Sequence, residues 1–199
     1  MKKKWLIASL AGFILLSAGC YYAVTQYNIH PERQVGEVVD ALHGVPVYYN
    51  GGVNHVRGRN TTADGYNLGL EYQCVEFVKR YYYVRFGHKM PDSYGHAKSF
   101  FNTQLESGAL NPQRGMLQFS NGSTVMPQAD DLLVFRATLL NRYGHVAIIS
   151  VVTEDAIEIV QQNPGPFASS RESFKLLHDA DGQWHIDHSA VLGFLRLPP

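Results

Sequence analysis

The chain has 199 residues, 45% of them hydrophobic, with 17 basic and 17 acidic side chains and a formal net charge of zero. That is enough chain for one domain with a sizeable core, and too little basic excess for a nucleic-acid-binding surface. Once Lys2, Lys3 and Lys4 are set aside, the remainder is slightly acidic.

Residues 1–24 read as a targeting segment. "MKKK" is a positive n-region and "WLIASLAGFILLSAG" is unbroken apolar sequence. Positive flanks stay in the cytoplasm, so whatever follows is exported. Three fates compete. "LSAGC" resembles a bacterial lipobox, with Cys20 as the residue that is acylated after cleavage. The run from Trp5 to Val24 is also long enough to span a bilayer uncleaved, with Tyr21 and Tyr22 at the interface. Ordinary signal cleavage is the third. Either of the first two leaves the domain tethered to the membrane of a bacterial envelope, facing the periplasm or exterior.

Residues 25–34 are polar and read as a linker, and residues 35–199 as the domain. Val45 to Asn50 reads as a short strand, and "VRGRNTTADGYNLG" as a Gly/Asn-rich loop leading to Cys74. Cys74 to Phe86 has helical periodicity, with Val75, Val78 and Tyr82 on one face. Glu76 in its first turn and Arg85 near its end suit the helix dipole, and Gly87 is a C-terminal stop. "HAKSFFNTQLES" predicts a second helix ending at Gly108. Strands follow at Leu132–Arg136, His145–Val152, Ala156–Gln162 and Val191–Leu197. Helices first and strands afterwards predict an α+β fold, with N-terminal helices packed on an antiparallel sheet.

With Cys20 in the targeting segment, Cys74 has no partner inside the domain. An unpaired thiol in an exported protein is either an inert buried residue or a reactive one. At the leading edge of a helix it meets the positive end of the dipole, which favours a thiolate. A thiol nucleophile also needs a base, a group that orients the base, and an oxyanion site. His145 follows Gly144 and opens the most hydrophobic strand, which suits a base held at a strand edge. Strand alternation puts Ile157, Ile159 and Gln161 on one side and turns Glu158 away, so Gln161 is the candidate orienter. Asn163 shares that parity and is the second candidate. No HExxH, CxxC or EF-hand loop marks a metal site, the "HIDH" at 185–188 lacks further ligands, and the chemistry asks for no cofactor.

"YQCVEFVKRYY", "GHVAIISVV" and "IEIVQQN", in this order and at these separations, resemble the CHAP amidases. These are cysteine- and histidine-dependent amidohydrolases/peptidases of papain-like fold. Within the family the chain is most similar to the amidase domain of bifunctional glutathionylspermidine synthetase/amidase. "VGEVVDALHGVPVYY", "LQFSNGSTVMPQADDLLVF" and "VLGFLRL" extend the resemblance over nearly the whole exported part. It implies Cys74 as nucleophile, His145 as general base, and Gln73 helping a neighbouring backbone N–H to form the oxyanion hole. It implies substrate contact for the basic pair Lys79 and Arg80, whose plainer reading is a solvated helix face. The family's third residue is a glutamate in "EQN"; here it is Gln161 in "QQN". A carboxylate stabilises an imidazolium where an amide only orients it, so Gln161→Glu is expected to equal or raise turnover. Export makes peptidoglycan peptides the leading substrate. The alternatives are small γ-glutamyl or polyamine amides, or a non-catalytic wall-binding module. No motif encodes an oligomeric state.

Overall fold

A computed structural model describes residues 2–199. Met1 of the positive n-region lies outside the described residues, as do the side chains of Lys2, Lys3 and Lys4. Helix α1 (Lys2–Gln26) leads into β1 (Val38–Leu42), β2 (Val45–Tyr48), β3 (Gly58–Thr61), β4 (Asn67–Glu71) and helix α2 (Cys74–Phe86). A 3₁₀ turn follows at Ala97–Phe100. Then come β5 (Leu110–Asn111), β6 (Met116–Ser120), β7 (Leu132–Phe135), β8 (His145–Val152), β9 (Ala156–Val160), β10 (Arg171–His178), β11 (Trp184–Ile186) and β12 (Val191–Arg196).

The last eight strands form one antiparallel sheet in the order β11-β10-β9-β8-β7-β12-β6-β5. β1–β2 and β3–β4 are separate two-stranded ribbons. Strand alternation sorts the apolar side chains of the large sheet into two layers. Leu132, Val134, Val146, Ile148, Val160 and Leu195 face α2. Leu133, Phe135, Ala147, Ile149, Ile159 and Phe194 fill a second cluster with Phe174 and Leu176 of β10. The second cluster is built almost entirely of strand residues because the sheet curls over its own inner face, where Ser123 bridges to Trp184 of β11. Central strands covered on both sides read as continuous apolar runs, which is why "LLVF" and "HVAIISVV" lack clean alternation.

α2 packs on β8, β4 and β2. Its fully buried Phe77, Val78, Tyr81 and Tyr82 each contribute about 1.5–3 kcal/mol of apolar burial. Gly87 ends it in the left-handed region, φ 64°; its N–H donates to the Tyr83 carbonyl and the His88 N–H to the Tyr82 carbonyl.

Among the described residues α2 is the one α-helix packed on the sheet, which corrects the expected pair. The apolar side chains Leu10, Phe13, Ile14, Leu15 and Leu16 of α1 are exposed, and Thr25 at its end is buried. The second expected helix is reduced to the 3₁₀ turn Ala97–Phe100. Side chains compete for its backbone: Ser99 Oγ donates to the His96 carbonyl, Asn102 Oδ1 accepts from Gln104 N–H, and Gln118 Oε1 accepts from Asn102 N–H. The expected loop before Cys74 contains the β3–β4 hairpin instead. Gly69 in β4, at φ 136°, lets the hairpin close on α2: a Cβ there would lie 3.1 Å from Glu76 Cα.

Candidate active site

Cys74 is the first residue of α2, and Gln73 precedes it in extended geometry, φ −80° and ψ 161°. The backbone N–H groups of Val146, Val75 and Cys74 favour the ionised form of the Cys74 sulfur. The Val146 contact sets the helix start directly against the start of β8, next to His145. Gly144 makes that approach possible. At φ 74° its missing Cβ would sit 2.6 Å from the Phe135 carbonyl oxygen, so the turn into His145 has no room for a side chain.

His145 Nε2 is 2.9 Å from Gln161 Oε1. The amide's other end decides which proton is shared. Gln161 Nε2 donates to the Ser169 carbonyl at 3.1 Å and to Glu172 Oε2 at 3.2 Å. Both are pure acceptors, so the amide nitrogen must face them and the oxygen must face the ring. His145 therefore carries its proton on Nε2 and leaves the Nδ1 lone pair free to act as a base.

Burial pushes the Cys74 thiol up to about 11, against the pull of the three N–H groups. It holds His145 down at about 4, against the Gln161 hydrogen bond. The resting pair is thus a neutral thiol and a neutral imidazole. This corrects the expectation of a resting thiolate: at a buried sulfur, desolvation outweighs the helix dipole.

The His145 shift is also a statement about stability. The unfolded residue protonates near its ordinary 6.5 and the folded one only at about 4. The unfolded state binds more protons in between, so this contribution is complete above pH 6.5 and lost as the pH falls toward 4. Urea unfolding at pH 7.5 and pH 4.5 should show a loss of about 3 kcal/mol from this group. His145→Gln should remove that part of the difference; the same pH slope in the variant would place the titration elsewhere.

The remaining candidates are placed differently. Gln73 Nε2 donates to the carbonyls of Val53 (3.1 Å) and His55 (2.8 Å), so its side-chain donors are engaged in holding the 53–55 loop. Asn163, in the left-handed region at φ 55°, donates to the Val53 carbonyl and to Gln73 Oε1. It braces Gln73 rather than His145, which corrects its reading as an alternative orienter.

Lys79 and Arg80 are buried, not on a solvated face. Lys79 Nζ donates to the carbonyls of Asn67 and Ser93, and burial lowers its pKa to about 8. Arg80 Nε is 2.6 Å from Glu76 Oε1, and its guanidinium lies over the Tyr48 ring. Cys20 is exposed on α1. His185 bonds Asp179, whereas His188 packs against Phe135 and Phe174, so the two histidines of "HIDH" serve different neighbours.

Sequence reasoning missed Gln162 and the buried part played by Glu76. Gln162 Nε2 donates to the Gln73 carbonyl (3.0 Å) and to Glu76 Oε2 (2.8 Å). Gln162 Oε1 accepts from Tyr48 N–H and from Arg80. This network fastens the segment just after β9, which carries Gln161, to the start of α2, which carries Cys74. The i,i+4 spacing of Glu76 and Arg80 was its one visible trace. Beside it lies a cleft of about 600 Å³, with Tyr48, Gln161, Asn163, His30 and Arg33 among its walls.

The CHAP domain model matches residues 63–163, a span that contains Cys74, His145 and Gln161. The chain belongs to the CHAP-domain family. It is 30% identical over 174 residues to trypanothione synthetase of Crithidia fasciculata, covering 82% of this chain and 26% of that protein. It is 33% identical over 98 residues to the bifunctional glutathionylspermidine synthetase/amidase of Escherichia coli (strain K12), covering 48% of this chain and 16% of that protein. The chain thus spans about a quarter or less of these relatives. A crystal structure of a wild-type endolysin, LysIME-EF1, superposes with a TM-score of 0.39 at 22% identity, over 73% of this chain and 61% of the other.

Proposed function

We propose that the chain is a thiol amidase/peptidase, tethered to the outer face of a bacterial membrane, that hydrolyses amide bonds in peptidoglycan peptides. The observation that carries the chemistry is the His145–Gln161 hydrogen bond with its amide direction fixed, one residue from the Val146 N–H that favours ionisation of the Cys74 sulfur. Cys74 gives its proton to His145 Nδ1 and attacks the carbonyl carbon. The two charges appear together, so each offsets the burial penalty of the other. Backbone N–H groups at the start of α2 receive the oxyanion, with Gln73 bracing that turn. The imidazolium protonates the departing amine and leaves a thioester. Water, deprotonated by His145, then releases the acid and restores the thiol.

Mass spectrometry of purified peptidoglycan digested with the native chain and with Cys74→Ala tests the reading. New peptide fragments from the native chain alone support it. Cleavage of glutathionylspermidine with no action on peptidoglycan would select a second reading, an amidase for small polyamine conjugates. The similarity to relatives named for such conjugates favours that one. Binding to peptidoglycan without cleavage of either substrate, and without reaction of Cys74 with iodoacetamide, would select a non-catalytic module.

The tether rests on α1, whose stretch Ser9–Gln26 is long and apolar enough to cross a membrane and is almost entirely unburied. Its Tyr21 hydroxyl donates to the carbonyl of Leu140, and Leu139 and Leu140 are themselves exposed on the loop before His145. The full chain should therefore pellet with membranes and be released by detergent. A chain lacking residues 2–26 should remain in the supernatant; pelleting of that truncated chain would refute the tether. Metabolic labelling with palmitate, lost in Cys20→Ala, would separate an acyl anchor from a spanning helix.

A further inference from the structure

The departure from the family's third residue leaves His145 facing a neutral amide, but a carboxylate lies one step further back. Glu172 is the second residue of β10, paired with Ile159 of β9. It shares the strand face of Phe174 and Leu176, the face of the inner cluster, at the rim where Phe135 packs 5.8 Å from the His145 ring. Its Oε2 accepts a hydrogen bond from Gln161 Nε2.

The neighbouring Arg171 points the other way, to Asp40 and Glu158. Among the described residues no cation forms an ion pair with Glu172. Two other titratable side chains share this face: His188, beyond Phe135 and Phe174, and His178 at the end of β10, stacked on Trp184.

We propose that Glu172 is a positioning residue for the Cys74–His145 pair, acting through Gln161: it fixes the amide direction and supplies, one hydrogen bond removed, the negative charge that the glutamine does not carry. The proposal rests on the thiol-hydrolase reading. The Ser169 carbonyl already opposes the flipped amide, in which two oxygens would meet, and Glu172 adds a second, charged acceptor against it. An amide polarised by a carboxylate also presents a more negative oxygen to His145, favouring the imidazolium that forms when the sulfur ionises.

This changes the expectation for Gln161→Glu. With Glu172 within hydrogen-bond distance of the same position, that substitution places two carboxylates side by side. Their repulsion offsets part of the benefit, so the gain is muted. Moving the charge rather than adding it should help: Gln161→Glu combined with Glu172→Gln keeps one carboxylate and one amide, in exchanged places.

The probe is alkylation of Cys74 by iodoacetamide followed against pH in the full chain, which needs no substrate. Near pH 6 the thiolate exists only as a pair with imidazolium. Glu172→Gln removes the charge that favours imidazolium, so the rate there should fall about three- to tenfold, with the sulfur ionising only at higher pH. The combined exchange should restore the native rate or exceed it, while Gln161→Glu alone should fall short of the exchange. Unchanged alkylation in Glu172→Gln, with loss in Gln161→Ala, would overturn the role of Glu172 and leave Gln161 as orienter. Unchanged alkylation in Gln161→Ala would overturn both. Equal effects of Gln161→Glu with and without Glu172 would also overturn the proposal, since the two side chains would then not be coupled.

Discussion

Cys74→Ala is expected to lower amide hydrolysis by about 10⁴-fold or more, with little change in stability. On the proposed reading Cys74 is the nucleophile and His145 its base. Removing the sulfur leaves the backbone donors and the cleft, which bind but do not form a thioester. The side chain is small and its loss from an 8% exposed site leaves a void of one atom, so unfolding should shift by about 1 kcal/mol. His145→Ala should cost a similar factor, and the double variant little more, because nucleophile and base act as one unit. Release of peptide fragments from purified peptidoglycan, read by mass spectrometry, measures all three. A Cys74→Ala chain that kept a tenth of native turnover would dismiss the covalent route. A His145→Ala chain with normal turnover would dismiss the base while sparing the nucleophile.

The parts of this site that were legible in the sequence are those fixed by local pattern. α2 begins at Cys74 and ends before Gly87 because a 3.6-residue apolar period meets a residue free to adopt positive φ. β8 spans His145–Val152 because "HVAIISVV" is β-branched and bounded by Gly144. Illegible were the features made by side chains that meet only in three dimensions. The β3–β4 hairpin carries Arg59, Asn60 and Thr61, polar residues whose pairing is rewarded by packing on α2 rather than by their own propensity. β10 shows only Phe174 and Leu176 as inward residues within "RESFKLLH", a thin apolar signal for an eight-residue strand. Lys79 and Arg80 resemble a solvated face until Asn67, Ser93 and Glu76 are seen to receive them. The contact of Glu172 with Gln161 depends on the register between β9 and β10, which no spacing along the chain reveals.

The deepest of those hidden features carries the second large effect: Glu76→Ala is expected to destabilise the fold by about 3–5 kcal/mol. Glu76 is fully buried, and its two oxygens accept from Arg80, Asn60 and Gln162. Its removal leaves the Arg80 guanidinium, 8% exposed, with the Pro46 carbonyl, Gln162 Oε1 and the Tyr48 ring but no counter-charge. It also frees one of the bonds by which Gln162 ties β9 to the Gln73 carbonyl, so stability and positioning should fail together. Glu76→Gln tests the charge alone; it keeps the shape but sets an amide N–H against the donors of Arg80. Glu76→Leu with Arg80→Met separates the two roles. An apolar pair of matching bulk should recover much of the lost stability, since buried ion pairs are often replaceable by packing. The Gln162 side chain would still lack its carboxylate partner, so alkylation of Cys74 should remain slow in a chain that unfolds at near-native urea concentration. If the apolar pair instead restored native Cys74 reactivity, Glu76 would be a stability element alone, and the geometry of Cys74 against His145 would have to be held by the packing of α2 on β8.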